Sequence, residues 1–109
     1  MMTIDGVASV AGLGPADIER WVQLAWVRPD GRPGQWVFRE IDVARVRLIV
    51  ELRDGLHVEE ETLPIVLSLL DQLYDTRRQL RLLHRAVEDT APDPVRARLL
   101  TLLNDQHLA

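Results

Sequence analysis

Between residues 66 and 87 the positions Val66, Leu69, Leu73, Thr76, Leu80, Leu83 and Val87 follow one another at spacings of 3-4-3-4-3-4. A repeat that averages 3.5 residues places all of them on one side of a helix, with Thr76 the one polar member. Leu67, Leu70 and Tyr74 widen the stripe in its first half, and Arg77, Arg78, Arg81 and Arg85 crowd the second half. This pattern predicts a long Leu-rich helix within residues 57–90. A soluble monomer that exposed so much apolar surface would be prone to association. Val66, Leu69, Leu73, Leu80, Leu83 and Val87 are therefore expected to form a homodimer seam.

The segment that follows, residues 91–109, opens on a Pro-marked break, with Asp93 as N-cap and Pro94 in the first turn. Val95, Leu99, Leu102 and Leu103 give it an amphipathic helical pattern. It could fold back on the long helix or cover a dimer seam, but it is too short to cover the whole stripe. Ahead of the long helix, Glu59, Glu60 and Glu61 suit the positive end of a helix macrodipole, and Pro64 is tolerated only in a first turn.

Residues 1–56 have a different rhythm. "TIDGVASVAGL" (3–13) carries Val7, Ala8, Val10, Ala11 and Leu13 at near-helical spacing, with Asp5 as a plausible N-cap. "GLGPADIERW" gives a turn and a second helix, whose face is Ile18, Trp21, Val22 and Ala25 and whose stop is Pro29. Asp30-Gly31 and Pro33-Gly34 are turn signals. "QWVF" then reads as a short strand that pairs with "WVRP" in a hairpin. Residues 39–55 read as a third helix with Ile41, Ala44, Val46, Leu48, Ile49 and Leu52 as apolar members and Gly55 at its end. The order is helix, turn, helix, hairpin, helix.

Composition narrows the function. The 109 residues carry a net charge of −4, and all thirteen basic residues are Arg. Residues 1–55 hold seven Arg against eight acids and the remainder six against nine, so neither half has the basic excess of a typical nucleic-acid binder. With no Cys there is no disulfide, thiol nucleophile or thiolate metal site. His57, His84 and His107 share no ligand spacing, so no metal site is expected. "GLGPAD" lacks the preceding strand and third Gly of a dinucleotide loop, and no cofactor is expected. No catalytic constellation is visible and the chain reads as a non-enzyme. The absence of a signal-peptide pattern and of a long apolar run points to a cytoplasmic protein without a membrane span.

From "TIDGVASVAGL" through "GQWVFREIDVARVRLI" the chain resembles the MerR-type winged helix-turn-helix, including the start of its third helix at Asp42 and Val46. "WVF" (36–38), "RLIVELRDGLHV" (47–58) and "LPIVLSLLDQLYDTRRQLRLL" (63–83) are similar, more narrowly, to the CbpM chaperone modulators. Those proteins share a Leu-Leu-Asp-x-Leu element, here Leu69, Leu70, Asp71 and Leu73. The resemblance covers residues 3–88. It implies a mainly α fold: a MerR-like winged helix-turn-helix with a small β-hairpin wing (1–56), a long dimerising helix (57–90) and a short C-terminal helix (91–109).

DNA-binding MerR proteins typically carry Thr-Leu-Arg-Tyr-Tyr-Glu in the second helix, where the Arg and first Tyr touch phosphates. The matching stretch here runs from Asp17 through Ile18, Glu19, Arg20 and Trp21 to Val22, so a carboxylate replaces the phosphate-binding Arg. The resemblance to CbpM implies a partner instead: the J domain of a DnaJ-type co-chaperone, CbpA-like, whose work with DnaK is inhibited. A J domain presents a basic helix to DnaK, so a competitor should offer carboxylates around an apolar patch. Asp17, Glu19, Asp71 and Asp75 are the candidate carboxylates, and Trp36, Val37 and Phe38 the candidate apolar contacts. The alternative is a MerR-type transcriptional regulator that meets DNA through Arg28, Arg32 and Arg39.

Overall fold

The computed structural model describes residues 1–106, which form five α-helices: α1 (Ile4–Ala11), α2 (Pro15–Gln23), α3 (Glu40–Val50), α4 (Leu63–Thr90) and α5 (Asp93–Gln106). A π-helical turn, Glu51–Gly55, extends α3. The chain divides into two compact units, one spanning Met1–Leu67 and one from Ser68 onward. His107 lies outside the described residues. No helix among the described residues is long and apolar enough to cross a membrane.

The core of the first unit is built as the periodicity predicts. Val7 and Ala8 of α1, Ile18 and Trp21 of α2, and Val46 and Ile49 of α3 are buried, joined by Val27, Phe38, Leu52, Leu63 and Leu67. Trp21 is 1% exposed and is the largest of the fully buried side chains. Helix α1 starts two residues earlier than Asp5 would allow as its cap. The cap is Thr3, whose hydroxyl accepts from the Gly6 N–H at 3.3 Å, and Asp5 sits in the first turn. Gly12 closes α1 in the left-handed region at φ 71°.

Helix α2 begins at Pro15 as expected but ends at Gln23, short of Pro29. The stop is made by hydrogen bonds rather than by proline. The Ala25 N–H donates to the Val22 carbonyl at 3.0 Å and the Trp26 N–H to the Trp21 carbonyl at 2.9 Å. This pair of bonds is a Schellman closure, and it requires a left-handed residue at the position Ala25 fills, with φ 61°. Glycine is the usual occupant because a Cβ is strained there.

That closure overturns the expected β-hairpin. Among the described residues there is no strand; two isolated bridges remain, Asp30 with Val37 and Met2 with Phe38. The Trp26 and Val27 N–H groups both turn to the Trp21 carbonyl and so cannot serve a ladder. Pro29 and Pro33 have no N–H to give. Gly31, at φ 95°, holds the turn where a Cβ would stand 2.6 Å from the Gln35 carbonyl oxygen. The Phe38 segment pairs with the N-terminus instead, with Met2 N–H to Phe38 O at 2.9 Å and Phe38 N–H to Met2 O at 2.8 Å.

Helix α3 starts at Glu40 behind Arg39, which has only donors and cannot cap in the usual way. Asp42 supplies the acceptor: its Oδ2 receives the Arg39 backbone N–H at 2.8 Å and the Arg39 Nε at 3.3 Å. Asp42 is a buried charged residue at 5% exposure, so these bonds offset its desolvation. Glu59–Glu61 precede α4 rather than open it. The Thr62 and Leu63 N–H groups both donate to the Glu59 carbonyl, and the helix begins at buried Leu63 with Pro64 next.

In the second unit the break at Ala91–Pro92 is as read, but α5 starts at Asp93 itself, so Asp93 is its first residue rather than its cap. The Arg96 guanidinium donates to the Glu88 carbonyl at 2.9 Å and pairs with Asp93, which fixes the turn. Asn104 lines the same cleft as Arg77 and Leu80, so α5 runs back beside α4.

Two stability predictions follow from the caps. Ala25→Gly should raise stability by about 0.5–1 kcal/mol, the strain of a left-handed alanine less the entropy of glycine, read as an increased urea midpoint. Asp42→Ala should lower it by about 1–2 kcal/mol through loss of the α3 cap, read in the same titration.

Candidate interaction surface

Burial of Ile18 and Trp21 decides which side of α2 faces solvent. The outward residues are Ala16, Glu19, Arg20 and Gln23, all exposed. Arg20 is committed to an ion pair with Glu60. Asp17 is half-buried, one turn before Trp21, and its negative charge helps to raise the pKa of Arg53. The Arg53 guanidinium stacks over the Trp21 ring, 5.3 Å from its centre, and grips Asp54 through two bonds of 2.8 and 3.1 Å. Hydrogen bonding to Asp54 raises Arg53 above its ordinary range against the effect of burial, and the same bond holds the Asp54 carboxyl low. Glu19 is thus the charge that α2 offers outward without an ion pair among the described residues.

The segment after α2 sorts its expected contact residues by depth. Trp36 is half-buried and Val37 is 36% exposed, so both reach the surface. Phe38 does not: it is fully buried, and its assignment as a partner contact is corrected to core. Backbone alternation placed Trp36 and Phe38 on one face, and the Met2–Phe38 bridge draws that face inward at Phe38. Arg28 and Arg32 are exposed. Arg39 is exposed too, but its guanidinium is occupied by Asp42 at 3.3 Å and faces Asp30 at 3.7 Å. The hydrogen bond to Asp42, then the charge of Asp30, raise its pKa. A shallow groove of about 570 Å³ beside this corner is walled by Met1, Met2, Val43 and Ala44, with Arg39 and Arg47 at its edge.

In the second unit Asp71 and Asp75 are exposed one turn apart on α4. Asp75 is held by Arg78 at 2.6 Å and by Gln79 at 3.4 Å. The residues of the apolar stripe remain open: Leu69, Leu73, Leu80 and Leu83 are 60%, 43%, 49% and 50% exposed, while Val87, and Val66 in the first unit, are half-buried. On α5, Val95, Leu99 and Leu102 are likewise exposed. The turn back of α5 therefore leaves an apolar stripe uncovered on α4.

Sequence reasoning missed three anchoring cations. Arg20 reaches Glu60, Arg53 covers Trp21, and the Arg45 Nε donates to the Trp26 carbonyl at 2.9 Å. Arg53 carried a faint signal, an Arg next to buried Leu52 in an apolar run. The other two depend on tertiary neighbours that spacing does not reveal.

The helix–turn–helix formed by α1 and α2, followed by a loop corner and α3, agrees with what comparison with known families finds. The family model described as "MerR HTH family regulatory protein" matches residues 2–60. No curated protein and no solved structure matches the chain significantly. The matched span is more than half of the 109 residues, and the chain belongs to the MerR HTH family of regulatory proteins.

Proposed function

We propose that this member of the MerR HTH family acts by protein–protein contact: it binds the J domain of a CbpA-like, DnaJ-type co-chaperone and inhibits its work with DnaK. The observation that carries this reading is the outward face of α2, where Glu19 is exposed and Arg20 is already paired with Glu60. Family membership is equally compatible with DNA binding, so the charge on this helix is what separates the two readings. In a duplex groove Glu19 would stand near phosphate. Two like charges 4 Å apart repel by about 1 kcal/mol in water and about 4 kcal/mol in a partly desolvated interface. A basic helix of a J domain reverses that sign. The similarity of residues 36–83 to the CbpM modulators points the same way.

In the first unit the residues we assign to partner contact are Glu19, Asp17, Trp36 and Val37; in the second unit, taken by itself, they are Asp71 and Asp75. Phe38 supports it from the core. The open stripe of Leu69, Leu73, Leu80 and Leu83, with Val66 and Val87, is the proposed homodimer seam. Arg28 and Arg32 remain the residues through which the DNA-binding alternative would act.

Calorimetric titration with an isolated CbpA-type J domain, and in parallel with duplex DNA at low salt, tests the reading. The expected result is J-domain binding at about micromolar strength or tighter, with no DNA binding. Glu19→Arg should weaken the J-domain complex about tenfold, a loss of about 1.4 kcal/mol. DNA binding that fades steeply with salt, together with no J-domain heat, sinks the proposal. Sedimentation of the free protein should give twice the 12.4 kDa chain mass, and Leu73→Asp should reduce it to the monomer; a wild-type monomer overturns the seam.

A further inference from the structure

The chain is acidic, with a net charge of −4, yet one side of α4 gathers cations. Arg77, Arg81 and Arg85 recur at every fourth residue, so they stand on one helix side at steps of about 6 Å. Together with Leu80, His84, Glu88 and Asn104 they line a cleft of about 500 Å³ between α4 and α5. Among the described residues none of the three forms an ion pair, whereas neighbouring Arg78 is satisfied by Asp75. Among the described residues the carboxylate lining the cleft is that of Glu88, 3.6 Å from the His84 ring nitrogen.

The dimer seam does not neutralise this ladder. The positions that flank the apolar stripe on its other side are Gln72, Gln79 and Ala86, which carry no charge. In a parallel dimer on the stripe Arg77 would meet these uncharged positions of the second copy, and in an antiparallel one it would meet Leu70, Arg77 or His84, so neither arrangement brings it a carboxylate at a flanking position. Three guanidiniums carried by backbone positions that span about 12 Å of helix axis repel one another until an anion bridges them. Each is a planar fork of donors suited to a phosphate or carboxylate. The cleft falls within the roughly 300–1,000 Å³ typical of small-ligand sites. Leu80 supplies an apolar wall, while His84 and the Asn104 amide add polar groups beside the cations.

We propose that the α4–α5 cleft is a binding site for a small polyphosphate anion, whose adjoining phosphates are shared among Arg77, Arg81 and Arg85. Its source is inorganic polyphosphate or the phosphate chain of a nucleotide. This site does not depend on the J-domain reading, and either can fail alone.

The test is calorimetric titration of the full chain with sodium tripolyphosphate, ATP and adenosine at low and at moderate salt. Saturable tripolyphosphate binding that weakens with salt is expected. Arg81→Gln should weaken it at least tenfold while leaving helicity by circular dichroism unchanged, because an exposed Arg and Gln have similar helix propensities. Arg98→Gln, on α5 but outside the cleft, should bind as wild type does. ATP binding tighter than tripolyphosphate identifies a nucleotide site, and equal binding identifies a site for the phosphate chain alone. No saturable heat with either anion, equal binding by Arg81→Gln and wild type, or binding of adenosine alone overturns the proposal.

Discussion

The first unit depends on what Trp21 does with both of its ends. Its side chain is buried in the middle of the helix–turn–helix core, and the Arg53 guanidinium lies across the ring. Its carbonyl receives the N–H groups of Trp26 and Val27 and so closes α2. One residue thus fixes the packing of the second helix, the place where that helix stops and the direction in which the chain leaves. Removing so large a buried aromatic typically costs about 3–5 kcal/mol, a large fraction of a small domain's stability. The same closure removes the donors a hairpin would need, so the missing wing strands follow from how Trp21 is used.

Charge is distributed in a way that separates fold from function. Basic side chains in the first unit are mostly occupied by structure: Arg20 on Glu60, Arg39 on Asp42 and Asp30, Arg45 on the Trp26 carbonyl, Arg53 on Trp21 and Asp54. A phosphate-binding surface needs guanidiniums held open to solvent, and the outward side of α2 presents a carboxylate instead. The scaffold is that of the MerR HTH family, but membership in a fold family does not fix what its surface meets. In the second unit the balance is reversed, with Arg77, Arg81 and Arg85 lining a cleft in which Glu88 is the carboxylate among the described residues.

Much of this was legible in the chain itself. Apolar spacing located the helices, Pro15 marked a real boundary, and the residues of the apolar stripe lie on one helix as the repeat required. The errors share a cause. Phe38 looked like surface because alternation tells which residues share a face, not which way that face points. The hairpin looked secure because turn residues were present, although the partner strand's N–H groups had been taken by α2. Ala25 looked like a helix residue because nothing local marks an alanine that adopts a left-handed conformation. Arg39 looked available because its two carboxylate partners, nine residues before and three after it, converge only once the loop is folded.

The sequence alone determined the periodic and covalent properties: five helical segments, an apolar stripe along α4, a cysteine-free acidic chain and a carboxylate, Glu19, on the second helix. These are local, because helix geometry converts spacing directly into faces and the charge of a side chain travels with it. Tertiary structure alone decided which of those charges are spent on holding the fold together and which face outward. It also decided that the chain between α2 and α3 is a bridged turn rather than a hairpin, because backbone hydrogen bonds are exclusive and α2 claims them first. Finally, it brought α5 back beside α4 so that cations on one helix share a cleft with an amide on the other.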